Sequence, residues 1–108
     1  MVEKIESIQQ FRELINGDVP VVIDCYADWC GPCRIISPRF AELSGQYTQV
    51  KFYKLNVDEQ QDISSELQIR SIPAFFVFRN GNKTEELVGA NPSALNVRTC
   101  RSLAGGPS

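Results

Sequence analysis

The stretch Val19-Pro20-Val21-Val22-Ile23-Asp24-Cys25-Tyr26-Ala27 is almost continuously apolar. A strand with one wet face alternates apolar and polar residues. A run without alternation needs cover on both faces, as a central strand has between two layers of helices. Pro20 is tolerable near the start of such a strand. Asp24 breaks the run, and a carboxylate in mid-strand is costly unless it is paired, hydrogen-bonded or protonated. Directly beyond the run, Trp29-Cys30-Gly31-Pro32-Cys33 opens a helical pattern. Two thiols at this spacing, at the first turn of a helix just past a strand, suit the making and breaking of disulfides. The same spacing also serves as a static bridge or as half of a four-cysteine zinc site, although the chain holds no second C-x-x-C to complete the latter.

The rest of the chain supplies layers for that strand. Val2 to Ile5 reads as a short edge strand. Ser7 and Gln10 form a capping box for a helix over about Ile8 to Asn16, stopped by Asn16-Gly17-Asp18. From Cys33 to Tyr47 the residues Ile35, Ile36, Phe40, Leu43 and Tyr47 keep a helical period. Pro38 inside that stretch predicts a kink rather than a second helix. Val50 to Val57 alternates as a strand, and Ile63 to Leu67 is a short helical segment. Ala74 to Phe78 is a strand, Asn80-Gly81 a hairpin turn, and Asn82 to Val88 the antiparallel return. Pro92 to Leu103 has only loose periodicity. The order predicts an α/β fold in one domain, with a central mixed sheet of about five strands flanked by about four helices.

At 108 residues the chain suits a single domain, with a flexible tail over about residues 104–108. A net charge of −2 offers no field for phosphate backbones, and no Lys/Arg stripe appears, so nucleic acid is not an expected partner. No apolar run reaches the length that crosses a bilayer. Met1 leads directly into Val2-Glu3-Lys4-Ile5-Glu6 without a signal-type core, and the expected compartment is the cytoplasm. The absence of histidine removes His-based triads, Cys-His nucleophile pairs and mixed Cys/His zinc sites. No metal is expected.

With these residues in view, the chain resembles the thioredoxin family. The likeness runs in order from about Ile5 to Ala90. It takes in the Asp-bearing strand, Trp29-Cys30-Gly31-Pro32-Cys33, Pro38, Lys54-Leu55-Asn56-Val57-Asp58, Ile72-Pro73, Asn80-Gly81 and Val88-Gly89-Ala90. The resemblance implies the thioredoxin fold and a thiol-disulfide oxidoreductase that reduces disulfides of client proteins. Thioredoxins are themselves the reference case for C-x-x-C redox chemistry. Cys30, just before the helix, is then the nucleophile, favoured as a thiolate by free backbone N–H groups and the dipole. Cys33, one turn further on, resolves the mixed disulfide, and Gly31 and Pro32 tune the couple toward reduction. Asp24 exchanges a proton with Cys33, because burial pushes a carboxyl toward neutrality. Lys54 matches the family lysine that modulates that carboxyl.

Trp29, Ile72, Pro73, Val88, Gly89 and Ala90 match the family's substrate-docking surface, with the Ile72-Pro73 bond cis by resemblance alone. The resemblance further implies no bound cofactor, with electrons reaching the Cys30-Cys33 couple from NADPH through thioredoxin reductase. Clients by the same likeness are peroxiredoxins, ribonucleotide reductase and methionine sulfoxide reductase. The chain is expected to act as a monomer. Two other readings are a disulfide oxidase or isomerase, and a non-catalytic thioredoxin-like binding module.

Two features depart from the family pattern, Cys25 and the C-terminal stretch, and Cys100 has no assigned role. Cys25 stands where a bulky apolar residue is usual, on the other side of the pleat from Asp24, and reads as a small buried hydrophobe. Cys100 is either inert or exposed enough to link a dimer. Asn96-Val97-Arg98-Thr99-Cys100-Arg101 replaces a Leu/Phe/Lys-rich helix, which predicts a weak last helix and fast hydrogen exchange after Leu95.

Overall fold

The computed structural model describes residues 2–104. The elements are β1 (Glu3–Lys4), α1 (Ile8–Ile15), β2 (Val21–Tyr26), α2 (Gly31–Gln46), β3 (Lys51–Asn56), α3 (Gln61–Glu66), β4 (Ala74–Arg79), β5 (Asn82–Val88) and α4 (Pro92–Ala104). One sheet carries the five strands in the order β1-β3-β2-β4-β5. β1, β3 and β2 run parallel, while β4 is antiparallel to β2 and β5 to β4. The mixed sheet with four helices agrees with the fold class read from the sequence.

The central strand β2 is buried along nearly its whole length, as its unbroken apolar run requires. Its odd-numbered residues Val21, Ile23 and Cys25 pack with Phe11 of α1 and Ile63 of α3. Val22 on the opposite face packs with Ile36, Phe40 and Leu43 of α2 and Leu95 of α4. Cys25 is fully covered and points away from the face that carries Asp24 and Val22. Burial holds its thiol well above the usual range, so it stays protonated and apolar in behaviour.

Local signals set the turns. Ser7 Oγ accepts the Gln10 N–H at 3.1 Å, while Gln10 Oε1 reaches back to the Glu6 N–H at 2.7 Å. Asn80 and Gly81 both have positive φ, 54° and 81°, as a tight hairpin between right-twisted strands demands. α2 continues through Pro38 as one helix. β1 is shorter than the predicted Val2 to Ile5, and Val19, 42% exposed, lies outside the strand assigned to it. Ile35, counted with the apolar stripe of α2, is exposed instead, because the true buried stripe is Cys33, Ile36, Phe40, Leu43 and Ser44.

The last helix has contacts that its loose periodicity does not show. α4 is formed over Pro92–Ala104, with Asn91 Oδ1 accepting the Ala94 N–H at 3.0 Å at its start. Its buried stripe is Leu95, Thr99 and Ser102, at positions i, i+4 and i+7. Thr99 Oγ1 donates to the Leu95 carbonyl at 2.9 Å, and Ser102 Oγ donates to the Thr99 carbonyl. The hydroxyls are satisfied by their own helix, so they can occupy core positions that an apolar count overlooks. Glu85 of β5 receives both Arg98 at 3.3 Å and Arg101 at 3.2 Å, and Arg39 of α2 donates to Asn96 at 3.0 Å. Residues 105–108, the rest of the expected tail, lie outside the described residues.

Candidate active site

The site lies where β2 ends and α2 begins. Cys30 is the N-cap of α2 in an extended conformation, followed by Gly31 and Pro32 in the first turn. Pro32 wastes no donor there, because the first N–H groups of a helix have no partner within it. Cys30 and Cys33 are joined by a disulfide, with Cα atoms 5.3 Å apart. The Cys33 N–H points at the Cys30 sulfur, 3.2 Å away. A helix N-terminus thus addresses one sulfur of the pair, which is the environment that favours a thiolate when the bond opens. Both cysteines are almost covered, at 3% and 4% exposure, in a small cluster with Ala27 on which Tyr26, Val57 and Ile72 pack.

Behind the dithiol, a cleft of about 310 Å³ is bordered by Asp24, Tyr26, Cys33, Arg34 and Lys54. Cys33 therefore opens onto the same space as Asp24. Asp24 is 4% exposed, and its Oδ1 has no hydrogen-bond partner among the described residues. Burial raises its carboxyl to about 7, against a smaller opposing pull from the Lys54 ammonium. Lys54 sits directly across from Asp24 in the β2–β3 register. Its side chain is exposed, with Nζ 6.0 Å from the centre of the Tyr26 ring.

In front of the dithiol lies the surface assigned to docking. The Ile72–Pro73 peptide bond is cis. The Pro73 carbonyl accepts the Gly89 N–H at 2.8 Å, which ties the Pro73 turn to the end of β5. Gly89 has φ +108°, a conformation that side chains rarely adopt. Val88 is 54% and Trp29 70% exposed, while Ile72, Gly89 and Ala90 are partly covered.

Four separated stretches of chain thus meet around one disulfide. Two contributors carry no role in the sequence reading. Asp58 Oδ2 accepts the Trp29 indole N–H at 2.9 Å and so holds an exposed aromatic in place. The other is Tyr26, which borders the cleft beside Asp24. The sequence shows Asp58 only as the end of the family-like stretch Lys54-Leu55-Asn56-Val57-Asp58, with no role of its own, and Tyr26 only as one more residue of an apolar run. Among the described residues no three His, Cys, Asp or Glu side chains gather in a metal-holding cluster, and no helix is long and apolar enough to cross a membrane.

Comparison with known proteins decides the family. The thioredoxin family model matches residues 2–99. The chain belongs to the thioredoxin family. A thioredoxin of Coprinus comatus is 45% identical over 106 residues, covering 96% of this chain and all of that one. The crystal structure of the thioredoxin of Malassezia sympodialis superposes with a TM-score of 0.91 at 44% identity, covering 94% of this chain and 92% of that one. A chain from work on thiol resolution in a yeast mitochondrial 1-Cys peroxiredoxin by glutathione and thioredoxin systems has a TM-score of 0.87 at 35% identity, with 92% and 93% covered. With its Cys30–Cys33 redox-active disulfide, the protein is a thiol-disulfide oxidoreductase acting as a protein-disulfide reductase.

Proposed function

We propose that the protein is an electron carrier in which Cys30 attacks, Cys33 resolves and Asp24 moves the proton. The carrying observation is the sulfur of Cys30 facing the Cys33 N–H in the first turn of α2, while Cys33 shares a cleft with a buried carboxyl whose Oδ1 has no hydrogen-bond partner among the described residues. In the reduced form the Cys30 thiolate attacks a client disulfide. One bond forms between Cys30 and the client, and the first client sulfur departs as a thiolate. Asp24, ionised in part near neutral pH, takes the Cys33 proton. The Cys33 thiolate then attacks the Cys30 sulfur and expels the second client thiolate. The client gains two electrons, and the chain closes its own disulfide. Lys54 tempers Asp24, and Gly31-Pro32 set the couple toward reduction.

Clients dock as an extended segment along Trp29, Ile72, Pro73, Val88, Gly89 and Ala90, recognised by backbone and apolar shape rather than by charge. Peroxiredoxins, ribonucleotide reductase and methionine sulfoxide reductase are the client classes. Support for the first is the similar yeast chain, which comes from peroxiredoxin work. The protein is a single domain acting as a monomer in the cytoplasm, where reducing conditions keep dithiols open. Thioredoxin reductase, fed by NADPH, returns it to the dithiol. A coupled assay tests this cycle: with a fungal thioredoxin reductase and insulin, NADPH should be consumed in proportion to added protein. No consumption, despite activity with dithiothreitol, would contradict recycling by that reductase.

A further inference from the structure

Asp24 and Tyr26 are two apart on β2 and share one face of the sheet, with Lys54 opposite Asp24 and Asn56 opposite Tyr26. Lys54 is therefore the diagonal neighbour of Tyr26, a spacing that a long side chain and an aromatic ring can bridge. The ammonium stands 6.0 Å from the ring centre, at the outer edge of cation–ring attraction. Among the described residues no carboxylate forms a salt bridge with Lys54. A four-carbon stem without an ion partner is otherwise free to swing into water. The ring is half-buried against the cluster of Ala27, Cys30 and Cys33 and provides a fixed surface.

We propose that Tyr26 is a positioning residue of the redox site: its ring holds the Lys54 ammonium over the cleft shared by Asp24 and Cys33, and so sets how strongly that cation acts on the carboxyl. This rests on the reading of Asp24 as the proton partner of Cys33. The groups around Asp24 are Lys54 from β3, Cys33 and Arg34 from α2, Asp28 from the connecting loop, and Tyr26 on its own strand. From β4 the facing residue is apolar Phe75, and Cys25 points to the other layer. Lys54 is the cation that opposes the effect of burial on the carboxyl. The Tyr26 hydroxyl lies among Lys4, Asn56, Asp28 and Glu59, so removing it alone leaves the ring face intact.

The sign of one shift separates this role from simple packing. If the ring only kept water off Asp24, its loss would wet the carboxyl and lower the pH at which it titrates. If the ring holds Lys54, its loss frees the cation and raises that pH. The test is a carboxyl-carbon NMR titration of Asp24 in the reduced full-length chain. In Tyr26→Leu the midpoint should rise by roughly half a pH unit. Tyr26→Met serves the same comparison if Leu disturbs packing. Tyr26→Phe should titrate like wild type, and in a Lys54→Met background Tyr26→Leu should add no further rise. A fall or no change in Tyr26→Leu and Tyr26→Met, an equal rise in Tyr26→Phe, or a rise that persists without Lys54 overturns the proposal. Separately, an Asp24→Asn variant whose mixed-disulfide resolution keeps the wild-type pH profile overturns Asp24 as proton partner, not the Tyr26–Lys54 contact.

Discussion

Of the places where the molecule buries polar side chains, α4 and β2 do so in opposite ways. In α4, Thr99 and Ser102 are enclosed, and each hydroxyl donates to a carbonyl of its own helix. In β2, Asp24 is as deeply enclosed and has an oxygen with no partner among the described residues. The first arrangement is close to neutral, since a satisfied hydroxyl costs little to bury. The second stores an unfavourable charge beside the thiol that has to lose a proton. Polar burial in this fold is structural where it is satisfied and points to chemistry where it is not.

The largest break in that contrast comes from Asp24→Asn. The folded-state value of about 7 lies above the ordinary 3.8, so the folded state holds the proton more tightly than the unfolded chain. The favourable contribution is complete below about pH 4 and drains away as pH rises toward about 7. Above that pH the amide variant should be more stable than wild type by on the order of 3–4 kcal/mol, with the gain vanishing near pH 4. Urea unfolding at pH 4, 6 and 8 measures it, and a pH-independent difference would refute a buried ionisable penalty. The same variant should slow disulfide reduction above neutral pH.

Thr99→Val offers the counterpart. Losing one satisfied hydroxyl should change stability by about 1 kcal/mol or less, equally at all three pH values. A loss of several kcal/mol would show that α4 depends on that bond. Glu85→Gln, which removes the charge shared by Arg98 and Arg101, should cost about 0.5–1 kcal/mol and matter less at high salt. Smallest in energy is the exchange pattern. Amides near Thr99 should be protected, because α4 is docked by Leu95 and the Glu85 pair. Exchange as fast as that of an unfolded segment would restore the weak helix that the sequence suggests.

That last contrast also marks what the sequence could reveal. The buried run of β2 demanded a two-sided sheet, Asn80-Gly81 demanded a hairpin, and Cys30 to Cys33 demanded a thiol site at a helix start. Each rests on local rules that tertiary packing does not overturn. The helix over Pro92 to Leu103 is legible but its contact face is not, because hydroxyl residues fill the buried stripe while Val97 and Leu103 face water, so hydrophobic periodicity points away from it. Asp24 was legible as an anomaly in an apolar run. The lack of a partner for its Oδ1 among the described residues, the space it shares with Cys33 and the placement of Lys54 depend on strand register and on α2, which no local pattern encodes. The contact between Asp58 and Trp29 is hidden for the same reason, since the two meet only after β3 has been laid beside β2.

The division of labour between the two thiols is tested most directly by mixing reduced single-cysteine variants with a disulfide-bonded client and measuring adducts by mass spectrometry. Cys33→Ser should accumulate a mixed disulfide on Cys30, and Cys30→Ser should form none and fail to reduce insulin. Adducts on Cys33 in an active Cys30→Ser protein would contradict the account.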